Sequence, residues 1–437
     1  MKPITCILGA GMTGLAAGFS SGLPIFESSI NPGGICSSYY MRPGDTCRYN
    51  NPPDDNSAYR FEIGGGHWIF GGDPMLKQFL SRFVSLKAYK RHSSVYFRNK
   101  NIFVPYPLQN NLRYLDKNIV IKAINEMSHP TGSILFMKDW LKRSFGPTLC
   151  ELFFYPFHSL YTAGLYEQIA PQDAYKSPVD LPTVIQGALH NTPLVGYNST
   201  FLYPKQGLNK LAHELARYSK IYFGKEVVRI DPELKEVKFA DGDIIKYKNL
   251  ISTLPLNTAI ALTGLMEKEK TAPYSSLLVL NIGAHRGIKC PKEHWIYTPD
   301  SISGFHRVGF YSNVDRSFLP EAFTNNNNRI SIYVERAFVG DRKPSKVAIK
   351  SFSDKVISEL QEWKFINTVD IVDPTWIEVG YTWSFPDSNW INSAISKLKE
   401  CGIFQVGRYG LWRFQGIADS IRDGLFFGST MKPFVKN

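Results

Sequence analysis

The chain has 437 residues, too many for one small core at about 100–200 residues per domain, so two or three lobes are expected. Hydrophobic residues make up 43% and charged residues 20%, the balance of an ordinary globular protein, with an aromatic share of 14% that suits thick cores or stacking surfaces for flat ligands. The net charge of +12 favours anionic partners, but the Lys and Arg residues are scattered, with no zinc-finger or RNP-type motif, so nucleic-acid binding is not expected.

Residues 4–8 (Ile-Thr-Cys-Ile-Leu) form a short apolar run, which predicts a buried parallel strand. Gly9-Ala10-Gly11-Met12-Thr13-Gly14 follows and opens a helix pattern at Leu15. Pro24-Ile25-Phe26-Glu27 is the next strand, closing on an acid. This order of strand, glycine turn, helix, strand and acid is the dinucleotide-binding arrangement. Gly9 permits the tight turn, Gly11 lets a pyrophosphate approach the backbone, and Gly14 lets helix and strand pack closely. The helix N-terminus offers free N–H groups to phosphates. Glu27 suits ribose hydroxyls and disfavours a 2′-phosphate.

Two further glycine stretches decide between dinucleotides. Asn31-Pro32-Gly33-Gly34-Ile35-Cys36-Ser37 comes soon after the acid, and Phe61-Glu62-Ile63-Gly64-Gly65-Gly66-His67 follows. FAD is longer than NAD and carries its isoalloxazine away from the crevice. Several glycine-lined backbone segments are needed to hold it, so FAD is expected.

Farther on, 76–92 and 135–153 show helical spacing, and 207–218 is a clear amphipathic helix. Residues 221–252 alternate strand patterns with turns, including Asp241-Gly242 as a hairpin turn. Strands are expected over 276–284 and 329–336, with Asn325–Asn328 between them as a solvated hairpin loop. A helix is predicted over 346–362, a strand over 403–406 and a helix from Ala418. Gly407, Arg408 and Trp412 follow that strand, and Asp419-Ser420 caps a helix whose N-terminus can stabilise negative charge on a reduced flavin.

The six cysteines (6, 36, 47, 150, 290 and 401) show no metal-ligand spacing, so no metal is expected. They read as free thiols of a reducing compartment. Met1-Lys2-Pro3 runs straight into the first strand, leaving no room for a signal peptide, and no run of 18 apolar residues exists. A cytoplasmic protein without a membrane span is expected.

Several segments resemble the UDP-galactopyranose mutases, and more broadly the amine-oxidase and protoporphyrinogen-oxidase flavoproteins. They are Gly-Gly-His-Trp-Ile-Phe (65–70), Val-Pro-Tyr-Pro-Leu-Gln-Asn-Asn (104–111), Tyr-Pro-Lys-Gln-Gly (203–207), Ile-Ser-Thr-Leu-Pro (251–255), Phe-His-Arg-Val-Gly-Phe-Tyr-Ser-Asn (305–313) and Gly-Arg-Tyr-Gly-Leu-Trp-Arg-Phe (407–414). The resemblance runs from Ile4 to about Gly428. It implies an α/β fold with an FAD-binding Rossmann-type domain (1–72, 201–256 and 396–437), a mostly helical lobe (73–200) and a mixed β-sheet substrate domain (257–395).

In that family reduced FAD is a nucleophile. Flavin N5 attacks the anomeric carbon of a nucleotide sugar, the diphosphate leaves, and the ring reopens and recloses as a furanose before the diphosphate returns. The resemblance places His67 near flavin N5 and Arg307 on the diphosphate, with Tyr381 donating its hydroxyl to a phosphate. It places Phe70, Tyr106 and Gln109 on the uridine, and Val228 joins the cofactor set. NADPH or NADH is the implied electron donor.

The family's Pro-Tyr-Asn-x-x-x-Trp helix motif is altered here. Its Asn is His158 and its Trp is Thr162. The second phosphate arginine falls at Tyr175, with Lys176 beside it as a replacement charge, and the final tyrosine is Phe414. Retention of Arg307, Tyr381, Tyr106 and Gln109 favours mutase chemistry on a nucleotide sugar. The altered contacts favour a flavin oxidoreductase. A flavin-binding protein without turnover is the third reading.

Overall fold

The computed structural model describes residues 2–71, 73–172, 180–266 and 268–431. β1 (Ile4–Leu8), α1 (Met12–Ser21) and β2 (Ile25–Phe26) form the expected βαβ unit. β1 runs parallel to β2, with Ile7 opposite Ile25. The helix is rich in Gly and Ala, so its backbone lies close to its neighbours. It stops at Gly22, whose left-handed φ of 73° lets its N–H reach the Gly18 carbonyl.

β3 (Ser38–Met41) and β4 (Tyr59–Glu62) pair as an antiparallel ribbon. β5 (Ile69–Phe70) precedes α2 (Pro74–Ser81), whose first turn is capped by the Asp73 carboxylate accepting from the Leu76 N–H at 2.8 Å. Here the structure departs from the helix expected over 76–92. The chain turns after Ser81, and β6 (Leu86–Lys90) becomes a strand. Pairing with β9 (Thr200–Pro204) satisfies its backbone in a three-stranded sheet and overrides the local helical spacing.

β7 (Ser93–Phe97) and β8 (Ile102–Pro105) come next, then α3 (Lys117–Ser128) and α4 (Met137–Leu149). α4 kinks at Gly146, where φ is 74°, just before Pro147. A π-turn over Cys150–Phe154 joins it to α5 (Tyr155–Tyr161), and α6 (Leu181–Leu189) follows. These helices bury Leu141, Phe145, Phe153 and Phe154 in one apolar cluster.

After β9, α7 (Leu208–Ala216) buries Leu208, Leu211 and Leu215. β10 (Ile221–Tyr222), β11 (Val227–Asp231), β12 (Glu236–Phe239) and β13 (Ile244–Ser252) lie where alternating strands were expected. Asp241-Gly242 makes the turn between β12 and β13. α8 (Leu256–Thr263) leads to β14 (Tyr274–Arg286), followed by β15 (Trp295–Tyr297), β16 (Arg307–Phe310), α9 (Tyr311–Val314) and β17 (Arg329–Val339). β14 and β17 pair directly, from Ser275 opposite Val339 to His285 opposite Arg329. The Asn325–Asn328 stretch is exposed, but it does not join a hairpin. β15 and β16 intervene in the chain, and the four asparagines lead from a short turn into β17.

α10 (Lys346–Glu362) occupies its expected span and packs Phe352, Val356 and Leu360 against the sheet. β18 (Ile366–Thr382) is an edge strand, which accommodates Pro374. α11 (Trp390–Glu400), β19 (Ile403–Gln405), α12 (Gly407–Gly410) and α13 (Ile417–Met431) close the chain.

Two seven-stranded sheets result. The first runs β10-β2-β1-β13-β12-β11, with β19 also on β13. The second runs β18-β14-β17-β16-β15-β7-β8, so two strands from the 73–200 region complete it. α1 lies against α13 at close range. A Cβ at Gly424 would sit 2.2 Å from the Thr13 carbonyl oxygen, and one at Gly428 would sit 2.4 Å from that of Ala17. All six cysteines are unpaired. Among the described residues no helix is long and apolar enough to cross a membrane, and no group of three His, Cys, Asp or Glu gathers as a metal site.

Candidate active site

The C-terminal ends of β1 and β13 open into a cavity of about 430 Å³. Gly9, Gly11, Gly33 and Gly34 line it together with Thr253 and Ser420. Gly9 has φ +95°, and a Cβ there would lie 2.5 Å from Thr253 Oγ1. Gly11 is extended and caps α1, and a Cβ added to it would meet nothing within 4 Å. Its backbone therefore faces open space, as a close approach of phosphate requires. Gly14 is not at the cavity. A Cβ there would lie 1.9 Å from the Gly9 carbonyl oxygen, so its task is to bring helix and turn together. Gly33 donates its N–H to the Ala10 carbonyl at 2.8 Å and forms a bridge with Gly11, tying the second glycine stretch to the first.

Glu27 holds this turn from behind. One carboxylate oxygen accepts from the Ala10 N–H at 2.6 Å and the other from the Ser29 N–H at 2.8 Å. Ser37 is buried beside Gly33. Gly65 and Gly66 of the third stretch are pressed against side chains of β17 in the second sheet, and Gly64 against its own loop's His67. A Cβ at Gly65 would lie 2.8 Å from Glu335 Oε1, one at Gly66 would lie 2.0 Å from the Tyr333 hydroxyl, and one at Gly64 would lie 2.3 Å from the His67 ring. Asp419, in the first turn of α13, accepts from the Gly416 N–H and pairs with Arg422. Gly407 starts α12 against Thr13.

Of the expected cofactor set, Gly14, Glu27, Ser37, Gly64, Gly65, Gly407 and Asp419 are not in this cavity's lining, and neither are Val228 and Trp412, whose surroundings are different. Val228 lies on β11 with 45% of its surface exposed, outside the cavity lining. Trp412 is buried in a core with Tyr274 and Trp390, its indole N–H donating to the Trp383 carbonyl at 3.1 Å.

A second cavity, of about 190 Å³, adjoins the first. Ile35, Gly66, His67, Phe70, Arg408 and Tyr409 line both. Phe70, Tyr106, His158, Arg307, Tyr381 and Phe414, expected from separate parts of the chain, all line this second cavity. Gln109 is buried in the short turn Leu108–Asn110 and is not part of the lining. Lys176 lies outside the described residues, as does Tyr175.

The most charged feature of the second cavity is a buried ion pair. Arg307 on β16 donates from Nε (3.1 Å) and Nη2 (2.6 Å) to the Glu335 carboxylate on β17. Burial pushes the Glu335 carboxyl up, but the Arg307 charge and the neighbouring His306 outweigh it and hold the group ionised. His306 lies 3.5 Å from the same carboxylate and lines the cavity. Its burial lowers its pKa against the pull of Glu335. His67 is likewise driven down to about 4, first by burial and then by the Arg408 charge. Arg408 donates to the carbonyls of Gln415 (2.8 Å) and Gly380 (3.2 Å), with no carboxylate partner among the described residues. Burial raises the Tyr381 pKa, so its hydroxyl stays a donor at neutral pH, and its ring lies 4.6 Å from that of Tyr161.

The altered helix positions part company. His158 lines the cavity while its Nδ1 lies 2.7 Å from the Phe154 carbonyl oxygen. Thr162 turns inward. Its hydroxyl donates to the His158 carbonyl at 2.7 Å and accepts from the Tyr166 N–H at 3.0 Å. It secures the end of α5 and does not line the cavity. Glu335 and His306 escaped the sequence reading. The visible signal was a lone acid after the apolar run Ile330–Val334, and a histidine inside a segment already singled out for Arg307.

No family model matches the chain. Among solved structures, a reduced UDP-galactopyranose mutase aligns over 98% of this chain and 93% of its own, with a TM-score of 0.82 and 22% identity. A protein assigned as a protoporphyrinogen oxidase from Exiguobacterium sp. 255-15 aligns over 99% of both chains, with a TM-score of 0.68 and 12% identity. A putrescine oxidase bound to putrescine gives a TM-score of 0.56 at 14% identity, again over 99% of both chains. What these proteins share with the chain is the fold, an α/β architecture of the mutase and amine-oxidase type.

Proposed function

We propose that this chain is an FAD-dependent enzyme that rearranges a nucleotide sugar, in the manner of the UDP-galactopyranose mutases. The reading rests on one observation. A glycine-lined cavity suited to a dinucleotide opens, at Gly66, His67 and Arg408, into a second cavity that presents Arg307, Tyr381 and a wall of aromatic rings. Gly66, His67 and Arg408, shared by the two linings, are the residues that would meet the far end of a long cofactor held in the first.

The residues fit such a cofactor. The exposed backbone at Gly11 and the N-terminus of α1 suit its pyrophosphate. Arg408, a buried guanidinium with no carboxylate partner among the described residues, suits negative charge on a reduced ring. When bound and reduced, FAD supplies a nucleophilic nitrogen for the sugar's anomeric carbon. The protein's part is to bind and orient. Arg307 has Nε and Nη2 committed to Glu335, which fixes the plane of its fork and leaves Nη1 outside the pair for phosphate oxygens. Tyr381 donates a hydroxyl beside it. Phe70 and Tyr106 offer faces for a flat base, and the aromatic wall excludes water from the reacting centre. His67, neutral at physiological pH, can hold a hydrogen bond without adding charge.

The test is to reduce the flavin, add UDP-galactopyranose and related nucleotide sugars, and analyse the products. A ring-contracted product with no net consumption of reductant is expected. If no nucleotide sugar is rearranged, the mutase reading fails. One observation favours a second reading, an FAD-dependent oxidoreductase: Thr162 faces away from the cavity, and Phe153, Phe154 and Phe157 make that wall apolar. Substrate-dependent turnover of an electron acceptor would identify it. For the mutase reading, NADPH or NADH is the proposed donor that brings the flavin to its reduced, active form.

A further inference from the structure

A cleft of about 720 Å³ lies between the Pro52–Pro53 turn, the start of α7 and the segment after α9. It shares no lining residue with either cavity described above. Its floor holds Arg60, which is 4% exposed. The guanidinium stacks over the Phe318 ring at 4.3 Å. Nη2 donates to Ser317 Oγ at 2.9 Å, and Nη1 reaches the Lys205 carbonyl at 3.3 Å. Nε has no partner. Among the described residues no carboxylate forms an ion pair with Arg60.

Among the described residues the carboxylates of Glu62 and Asp315 act on this guanidinium only at longer range, its hydrogen-bond partners are neutral, and an anion in the cleft would meet it directly. The walls supply more positive charge. Lys205 is exposed at the rim with no ion pair among the described residues, and Lys210 joins it, partly shared with Glu214 at 2.7 Å. The one acid in the lining, Glu321, accepts from Asn56 Nδ2 at 2.8 Å. A second unmet polar atom lies alongside. Asn209 is 6% exposed, donates from Nδ2 to the Asn50 carbonyl at 3.1 Å, and has Oδ1 without a hydrogen-bond partner among the described residues. An acceptor next to a cation suits a ligand that brings a hydroxyl as well as an anionic group. Pro52, Pro53 and Leu319 provide an apolar side.

We infer that this cleft is a second binding site, separate from the proposed catalytic one, for a small phosphate ester that carries hydroxyl groups. The phosphate sits between Arg60 and Lys205, and a hydroxyl donates to Asn209 Oδ1.

The probe is ribose 5-phosphate, titrated calorimetrically into the flavin-loaded protein. Saturable binding to one site is expected. Lys205→Glu, an exposed change, and Arg60→Gln are each expected to weaken it at least about tenfold, the scale of a lost charge-assisted hydrogen bond. Arg307→Ala should leave it unchanged, which separates this site from the catalytic cavity. Flavin content serves as the folding control. If Arg60→Gln fails that control, Lys205→Glu decides alone. Absence of saturable binding, or binding that survives Lys205→Glu and is lost with Arg307→Ala, would overturn the assignment.

Discussion

Arg307 and Glu335 are register partners across the antiparallel pair β16 and β17, and their side chains close a two-pronged ion pair at the wall of the second cavity. The carboxylate is fully buried, whereas the guanidinium keeps 20% of its side-chain surface accessible. The strand pairing therefore sets where the cavity's positive edge points.

Removing one member of this pair leaves the other as an uncompensated buried charge. Glu335→Gln is expected to cost about 3 kcal/mol or more, read as a lowered urea midpoint. Arg307→Ala should also weaken nucleotide-sugar binding while leaving flavin content unchanged. Loss of the flavin with Arg307→Ala would show that the arginine serves the cofactor instead.

The glycine turn makes a sharper contrast. Gly11→Ala adds a methyl group to open space at an extended residue, so the apoprotein should fold with near-normal stability and lose flavin affinity. Gly14→Ala drives a methyl group to 1.9 Å from the Gly9 carbonyl oxygen, so folding itself should suffer. Thermal melting of both apoproteins, followed by titration with FAD, distinguishes them. Equal melting temperatures would refute the division of labour.

Glu62 gives a pH signature. It is wholly buried, accepts from Ser38 Oγ at 2.7 Å and from the Tyr203 hydroxyl, and burial raises its pKa from 4.5 to about 7. The folded protein therefore holds a proton that the unfolded chain releases above pH 4.5. The contribution is fully present below that pH and is lost as pH rises through about 7. Replacement by Gln removes the loss. Between pH 4 and pH 8 the variant should gain about 3 kcal/mol on the wild type, taking 1.36 kcal/mol per pKa unit. Parallel stability curves for the two proteins would contradict this.

Thr162 offers a test of a structural role at a position where the family resemblance points to substrate. Thr162→Val keeps the shape but leaves the Tyr166 N–H without its acceptor. A loss of about 1–3 kcal/mol in stability is expected, from one buried donor left unsatisfied. Ligand affinity measured in the same variant should not move, because the side chain is outside the cavity lining.

The parts of the molecule governed by short-range chemistry were readable from the chain. β1, α1 and β2 follow from the apolar runs and the glycine spacing, and α10 from its periodicity. β6 was misread because its partner β9 lies more than a hundred residues away, and pairing with it overrules local spacing. β18 went unread because Asp373-Pro374 interrupts its pattern, a break tolerated only at a sheet edge. The second cavity illustrates the same division. Phe70, Tyr106, Arg307 and Tyr381 could be proposed one by one from motifs. Glu335 could not, since an acid within a strand shows its meaning only when Arg307 on the neighbouring strand faces it.

The tight seam between the first helix and the last has a consequence for how the protein is made. α1 spans Met12–Ser21, but the surface it needs, including Gly424 and Gly428 on α13, is synthesised far later. Gly407, packed on Thr13, arrives almost as late. The glycine turn therefore lacks its supporting wall until α13 has been made. Loading of the proposed flavin is then expected to require α13, and a chain truncated before residue 417 is expected to be colourless, read as absorbance of the purified protein.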